Sequence, residues 1–201
     1  MSREVKHTLP KVKKGYTGED YNMDYLILVN REFPLQTPVE EETLCQIDAD
    51  HEDIKLNKEA AMQLRALLDY IDSGDLIVPV SGFRTYEEQK KIFEESMIDN
   101  GESYTLKYVA YPNCSEHQTG LAIDLAENRE KIDFIAPDFP YEGICNEFRK
   151  NAHKFGFIER YPRGKESITG IAHEPWHFRY VGVSHAKEIR EKGIVLEEYV
   201  G

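Results

Sequence analysis

Apolar residues recur at the helical period in the segment that follows Asn57. Positions 60, 61, 64, 67, 68 and 71 are apolar and fall on one face of a helix, which predicts an amphipathic helix ending near Ile71. The Asn57 side chain can accept hydrogen bonds from the free N–H groups of a first helical turn. We therefore expect the helix to begin after Asn57 and to pack one face against a core.

Capping and stop residues predict three more helices. Their starts are indicated by a capping side chain or by a new apolar stripe, and each helix ends at or just before a glycine. The predicted helices run from a capping box of Thr85 and Glu88 to Asn100, over residues 141–155, and from the cap Ser184 to Gly193.

Short apolar runs bounded by turn residues predict the strands. These runs cover residues 75–80, 108–111, 120–125, 157–161 and 177–181, and the second and third could be neighbours in one sheet. Helices do not alternate strictly with strands along the chain. The order therefore favours an α+β fold in which helices pack on a mostly antiparallel sheet.

Residues 1–50 differ in composition from the rest of the chain. They contain few periodic signals, several prolines and many acidic residues, including Glu40, Glu41 and Glu42. We predict that this segment is an arm that packs on a single domain formed by residues 51–201. A chain of 201 residues is long enough to bury the core of one such domain.

The charge balance narrows the class of partner. The formal net charge is −12 and the isoelectric point is about 5.1. Nucleic acids and anionic membranes are bound mainly by clustered Lys and Arg, so we expect neither as a partner. The sequence also lacks a long apolar run and a secretory signal, which predicts no membrane insertion and a cytoplasmic location. Removal of a leader would leave the same sequence, so a cell-surface location stays open.

The cysteines do not indicate a scaffold or a metal site. Cys45, Cys114 and Cys145 form an odd set without a CxxC spacing, which argues against a disulfide framework and a cysteine-bound structural zinc ion. A cysteine hydrolase that uses Cys114 with His117 would need a thiol of lowered pKa and a paired base. Nothing in the sequence indicates either feature.

The stretch CSEHQTGLAIDL places an aspartate inside an apolar strand. Asp124 lies between Ile123 and Leu125, and a buried carboxylate is costly unless a positive charge or a metal compensates it. His117 precedes the strand across a turn, so the two side chains can converge at its end. A salt bridge or a capped turn would be the simpler explanation of this pair.

The stretch HEPWH supplies a second cluster. If His177 joins His117 and Asp124, the three ligands leave one tetrahedral position of a zinc ion open, as in catalytic sites. Glu174 would then be the general base. His173 is a rival ligand, because Pro175 indicates an edge or a bulge that changes which side chains share a face. Ordinary surface histidines are the alternative for the whole cluster.

Two more residues are candidates for substrate contacts. Arg84 lies at the exit of the strand over residues 75–80, where an arginine can bind a carboxylate or stabilise an oxyanion. Gln89 follows in the helix capped by Thr85 and could add an amide donor. A surface ion pair is the alternative for Arg84. Trp176, the single tryptophan, is expected in the core or in the wall of a pocket.

Taken together, three stretches resemble a known family. SGFRTYEEQ, CSEHQTGLAIDL and HEPWHFRYVG are similar in order and character to motifs of the zinc D,D-peptidases of the VanY and VanXY type, which are related to VanX. The resemblance covers about residues 25–199. It implies a metal site at one edge of the sheet, with one zinc ion per chain held by His117, Asp124 and His177. His173 is then not expected to bind metal.

The resemblance also implies roles for the remaining candidates. Glu174 corresponds to the general base and Arg84 to the arginine that contacts the substrate carbonyl. Ser115 and Gln89 correspond to positions that hold the peptide or its carboxylate, and we add Trp176 as a substrate-binding candidate. The implied substrates are the D-Ala-D-Ala dipeptide and peptidoglycan precursor peptides that end in D-Ala-D-Ala.

We expect a cytoplasmic D,D-dipeptidase and carboxypeptidase that contributes to vancomycin resistance. The first alternative is a secreted or membrane-anchored L,D- or D,D-carboxypeptidase that trims cell-wall peptides. The second is a non-catalytic zinc-containing module that binds cell-wall peptide. The presence of Glu174 speaks against this second alternative, because a module without catalysis has no need of a base.

Overall fold

An antiparallel sheet of four strands lies at the centre of the described part of the chain. The structure is a computed structural model and describes residues 24–201. The strand bounds are Leu44–Gln46 (β1), Lys55–Asn57 (β2), Ile77–Ser81 (β3), Ala122–Glu127 (β4), Phe157–Tyr161 (β5) and Glu174–Tyr180 (β6). The four strands of the central sheet lie in the order β3-β4-β6-β5, and β1 pairs with β2 in a separate antiparallel ribbon.

Helices connect and cover the strands, as the α+β expectation requires. No helix within residues 24–201 is long and apolar enough to cross a membrane. The helix bounds are Lys58–Tyr70 (α1), Tyr86–Asp99 (α2), Glu102–Tyr108 (α3), Gly143–Asn151 (α4), Glu166–Thr169 (α5), Val183–Lys192 (α6) and Leu196–Val200 (α7).

The capping signals of the first two helices are confirmed. Asn57 Oδ1 accepts hydrogen bonds from the backbone N–H groups of Glu59 and Ala60 at the start of α1. Thr85 and Glu88 form the expected capping box at the start of α2. These side chains satisfy N–H groups that have no partner within the helix, which is why both helices begin where the sequence predicts.

The sheet has one apolar face and one polar face. Ile123 and Leu125 of β4 and Phe178 of β6 belong to the main hydrophobic core, together with the buried face of α1. Successive side chains of a strand point to opposite faces. Asp124 and His177, which alternate with these core residues, therefore lie on the other face, and the core and the polar site share the same strands.

Two element predictions are wrong. Residues 108–111 do not form a strand next to β4: α3 runs to Tyr108, Val109 N–H still bonds to the Thr105 carbonyl, and residues 109–111 pair with no strand of the described sheet. β4 instead pairs with β3 and β6. Ser184 does not cap α6, which begins at Val183 after Gly182 with φ 84°. The stop at Gly193 is confirmed.

The division into an arm and a domain stays a prediction. Residues 1–23 of the predicted arm lie outside the described residues. Within residues 24–50, Val29 and Ile47 are buried, and Leu44 of β1 pairs with Asn57 of β2. Strand pairing therefore crosses the predicted boundary at residue 50.

Truncating a core residue of α1 tests this packing. Leu64 is fully buried in the main core, so Leu64→Ala should lower the free energy of unfolding by about 2–5 kcal/mol through lost contacts and a cavity. Met62 lies on the same helix with 49% of its surface exposed, so Met62→Ala should change stability by less than about 1 kcal/mol. Urea unfolding followed by circular dichroism measures both. Equal stability of the two variants would contradict the predicted orientation of α1.

Candidate metal centre

The structure brings His117, Asp124 and His177 together. Asp124 on β4 is the register partner of His177 on β6, and His117 lies in the 3-10 turn Glu116–Thr119 that precedes β4. His117 Nε2 is 3.1 Å from Asp124 Oδ2, and His177 Nδ1 is 3.0 Å from Asp124 Oδ1. One ligand atom from each residue lies within 4.8 Å of the others, and all three residues are buried. These residues form a group that can hold a metal ion.

Gly120 allows the turn that aims His117 at Asp124. It has φ 69°, in the left-handed region that favours glycine, and its N–H bonds to the His117 carbonyl. A Cβ at this position would lie 2.6 Å from Leu44 Cδ2 and 3.3 Å from Asn57 N. Both the backbone conformation and the close approach of the β1-β2 ribbon therefore require glycine here.

The position of the group within the sheet corrects one prediction. The resemblance placed the metal site at an edge of the sheet, but Asp124 and His177 lie on β4 and β6, the two central strands. The bulge predicted from Pro175 is present, since the register between β5 and β6 shifts between Glu159 and Tyr161. β4 pairs with β6 from Ala122 to Asp124, so the group lies where this central pairing ends.

The donor atoms fit a divalent metal ion. Asp124 Oδ1 is buried and makes no hydrogen bond within residues 24–201, although His177 Nδ1 is close to it. His117 Nδ1 lies 2.7 Å from the Gly82 carbonyl oxygen, to which it can donate, so that Nε2 is left with a lone pair facing Asp124. Two imidazole nitrogens and one carboxylate are a ligand set typical of zinc.

The charges of the group also suit a cation. Burial and the neighbouring Arg84 guanidinium lower the pKa of His117 to about 4, which favours the neutral imidazole that binds metal. Burial opposes a charge on His177, but the carboxylates of Asp124 and Glu116 outweigh it and raise its pKa to about 9. The carboxylates around His177 thus favour a positive charge beside them, which a bound dication would supply.

His173 is not part of this group. Its Nε2 lies 2.7 Å from the Tyr141 hydroxyl, and its ring stacks on the Tyr141 ring. The bulge around Pro175 gives His173 and His177 different surroundings. Of the two rival histidines, His177 is therefore the one that lies with His117 and Asp124, and its role as the third ligand stays a prediction.

Glu174 lies beside the group without being one of its members. Its Oε2 is 3.8 Å from His177 Nδ1, and the residue lines the same cavity. Burial raises the pKa of Glu174 to about 8. A carboxyl whose pKa is raised toward neutrality can both accept and return a proton, as a general base requires.

Arg84 is held at the wall of the cavity by three side chains. Its Nε donates to Ser81 Oγ at 2.9 Å, its Nη1 to Gln89 Oε1 at 3.1 Å and its Nη2 to Asp124 Oδ2 at 3.1 Å. Gln89 Nε2 in turn donates to the Ala110 carbonyl at 2.8 Å. The contacts of Gln89 therefore orient Arg84, and the substrate contact predicted for Gln89 stays a prediction.

All the predicted site residues line one cavity of about 380 Å³. Trp176 lies in both of the places expected for it, because it belongs to the hydrophobic core and also lines the cavity. Cys114 is not among the lining residues, and burial raises the pKa of its thiol. Both facts disfavour the cysteine hydrolase. The residues brought together at the cavity are Arg84, Gln89, Ser115, His117, Asp124, Glu174, Trp176 and His177.

Sequence reasoning missed a buried group of charges behind His177. Glu116 Oε1 accepts hydrogen bonds from Arg160 Nε at 2.7 Å and Arg179 Nη1 at 2.8 Å, and the three side chains are fully buried. The Tyr161 ring, which also lines the cavity, lies 4.9 Å from the His177 ring. The sequence did contain a signal of this group, because Arg160 and Arg179 lie inside aromatic-rich runs that are predicted as strands. An arginine buried in a strand needs a buried carboxylate as its partner.

Comparisons with known proteins indicate one family. A family model described as VanY, D-alanyl-D-alanine carboxypeptidase, matches residues 53–183. The chain is 40% identical over 178 residues to the bifunctional D-Ala-D-Ala dipeptidase and D-Ala-D-Ala carboxypeptidase VanXYC of Enterococcus gallinarum. That alignment covers 88% of this chain and 94% of the relative.

Solved structures show the same fold. The vancomycin-resistance D,D-dipeptidase VanXYg, in complex with a D-Ala-D-Ala phosphinate analogue, matches with a TM-score of 0.85 and 53% identity, over 88% of this chain and 70% of that chain. A variant of the D,D-pentapeptidase VanY from the VanB-type resistance cassette, in complex with Zn(II), matches with a TM-score of 0.72 and 32% identity. This match covers 89% of this chain and all of that chain.

Replacing the central carboxylate tests the metal centre. The wild-type protein should bind one Zn²⁺ per chain, and Asp124→Ala should weaken binding by more than the ~10–100-fold that is typical when a hydrogen-bond partner of a metal ligand is replaced. His173→Ala is the matched control and should leave the affinity within about twofold, because His173 lies outside the group. Competition with a chromophoric chelator measures all three proteins. A loss of affinity in His173→Ala equal to that in Asp124→Ala would contradict the ligand set.

Proposed function

Because the chain belongs to the VanY family of D-alanyl-D-alanine carboxypeptidases, we propose that it is a zinc-dependent D,D-dipeptidase and D,D-carboxypeptidase. One observation carries the proposal: the buried Asp124 carboxylate lies between two imidazoles, on a cavity that Glu174 and Arg84 also line, and its Oδ1 has no hydrogen-bond partner among the described residues. This arrangement combines a metal site with a base and an oxyanion-stabilising cation, which amide hydrolysis needs.

His117, Asp124 and His177 would hold the zinc ion in this assignment. When bound, zinc lowers the pKa of a coordinated water and polarises the amide carbonyl. Glu174 takes a proton from the attacking water on its carboxylate and later returns it to the nitrogen of the departing D-amino acid. The short distance between Glu174 and His177 keeps the base next to the reacting atoms.

Arg84 stabilises the negative charge that develops on the carbonyl oxygen. Its guanidinium is held by Ser81, Gln89 and Asp124, so its orientation is established before the substrate binds. Fixed donors need no reorganisation when charge appears, which is why such groups lower the barrier more than mobile ones. Ser115 and Trp176 line the same cavity and would contact the peptide.

The proposed reaction is hydrolysis of the amide that precedes a C-terminal D-amino acid. The first proposed substrate is free D-Ala-D-Ala, by analogy with the relatives VanXYC and VanXYg. The second is the end of a peptidoglycan precursor pentapeptide, which the sequence motifs imply by their resemblance to the family. Removal of these precursors would leave those that end in D-lactate or D-serine, to which vancomycin binds poorly. We propose that the enzyme acts in this way in the cytoplasm, with a cell-surface carboxypeptidase as the alternative.

The release of D-alanine from three peptides tests the proposed specificity. Zinc-loaded protein should release D-alanine from D-Ala-D-Ala and from a precursor pentapeptide, and should not cleave a tetrapeptide that ends in a single D-residue. A coupled D-amino-acid oxidase assay measures each rate. Cleavage of the tetrapeptide alone would favour the L,D-carboxypeptidase, and no cleavage of any peptide would refute peptidase activity.

A chelator should abolish the release of D-alanine, whereas thiol alkylation should leave it unchanged, because Cys114 lies outside the cavity.

Removing the proposed base separates catalysis from metal binding. Glu174→Ala should lower kcat by at least about 100-fold, because proton transfer by a positioned carboxylate typically contributes 10²–10⁴-fold. Its zinc content should stay at the wild-type level, since Glu174 is not in the ligand group. Steady-state kinetics and metal analysis of the same preparation measure the two quantities. Wild-type turnover in this variant would show that another group is the base.

A further inference from the structure

Glu116 has one carboxylate oxygen that the arginines do not use. Oε1 accepts from both Arg160 and Arg179, whereas Oε2 is buried and makes no hydrogen bond within the described residues. The nearest ionic contact of Oε2 is His177 Nε2, at 3.5 Å. That nitrogen is also buried and has no hydrogen-bond partner in the described part of the chain. The two unpartnered atoms therefore face each other across one short gap.

The two imidazoles of the metal group present different nitrogens to Asp124. His117 presents Nε2 and can donate from Nδ1 to the Gly82 carbonyl. His177 is reversed: it presents Nδ1 to Asp124, and its Nε2 faces Glu116. A neutral imidazole has one N–H and one lone pair, so each ring must have the tautomer that leaves the correct nitrogen free.

We propose that Glu116 is a positioning residue that keeps the proton of His177 on Nε2 and so leaves Nδ1 free for the metal ion. This inference rests on the zinc site of the proposed function. A carboxylate only accepts hydrogen bonds, so the atom that faces it must be the N–H of the ring. Carboxylates behind metal-bound histidines set the ring orientation and tautomer in this way.

The surroundings of Glu116 determine which of its atoms faces His177. Arg160 also donates from Nη1 and Nη2 to the two carboxylate oxygens of Glu197, at 2.8 and 2.6 Å. Arg179 Nη2 donates to the Tyr25 and Ile27 carbonyls. Both arginines are thus held from the far side, and their N–H groups keep Glu116 Oε1 as an acceptor. Only Oε2 remains for His177.

This geometry predicts an unusual effect of Glu116→Gln. The arginine N–H groups require the amide oxygen at the Oε1 position, which places the amide NH₂ opposite His177 Nε2. Because NH₂ is a donor, it favours a lone pair on Nε2 and moves the proton to Nδ1, where the metal ion must bind. The substitution preserves shape and still changes the tautomer.

A matched pair of variants tests the inference. Glu116→Gln should weaken zinc binding by about 10–100-fold, the range typical of groups that orient a metal ligand. Glu197→Gln removes the same charge from the same arginine network without a contact to His177, and its affinity should stay within about threefold of wild type. Chelator competition gives the affinities, and circular dichroism of the metal-free proteins shows whether both variants fold.

A second measurement on the wild-type protein does not depend on folding of the variants. Nitrogen-15 NMR of the zinc-loaded protein should show His177 bound through Nδ1 and protonated at Nε2. Binding through Nε2 would overturn the inference, and so would wild-type affinity in a folded Glu116→Gln protein. If the wild-type protein binds no zinc, the proposed function fails as well. If it binds zinc and hydrolyses D-Ala-D-Ala but Glu116→Gln binds equally tightly, only the role of Glu116 is refuted.

Discussion

The buried carboxylate of Asp124 is the constraint on which the rest of the site depends. It is only 5% exposed and lies in the middle of a sheet, where an uncompensated charge would be very costly. His117, His177 and Arg84 all converge on its two oxygens. Although burial opposes ionisation, the two imidazoles keep the pKa of Asp124 well below its usual range. A charged carboxylate therefore lies in the wall of the cavity, where it can bind a cation.

The alternation of side chains along β4 and β6 links this site to the stability of the fold. Ile123 and Phe178 point into the hydrophobic core, and their neighbours Asp124, His177 and Arg179 point to the polar face. A shift of one residue in the register would exchange the two sets. The apolar core therefore holds the metal group in place. Breaking one buried ion pair on the polar face typically costs about 3–5 kcal/mol, so the charges behind the site also resist rearrangement.

Local signals in the sequence predicted most of the elements but not all of their boundaries. The helical period of α1 and the capping box at Thr85 depend on neighbouring residues only, and both are confirmed. The run around Tyr108 was misjudged, because apolar aromatic residues suit a strand or a helix end equally well. Ser184 failed as a cap, since Gly182 with its positive φ already supplies the turn into α6.

By itself the sequence determined the chemistry that is available: an aspartate inside an apolar strand, histidines and a glutamate near a proline bulge, and an arginine at a strand exit. Tertiary structure alone decided which of these groups meet. Pairing of β4 with β6 brings Asp124 to His177, excludes His173 and sets Glu116 behind the ring. The physical reason is that strand register and ring orientation arise from contacts between segments far apart in the chain. Such contacts leave no periodic signal in either segment.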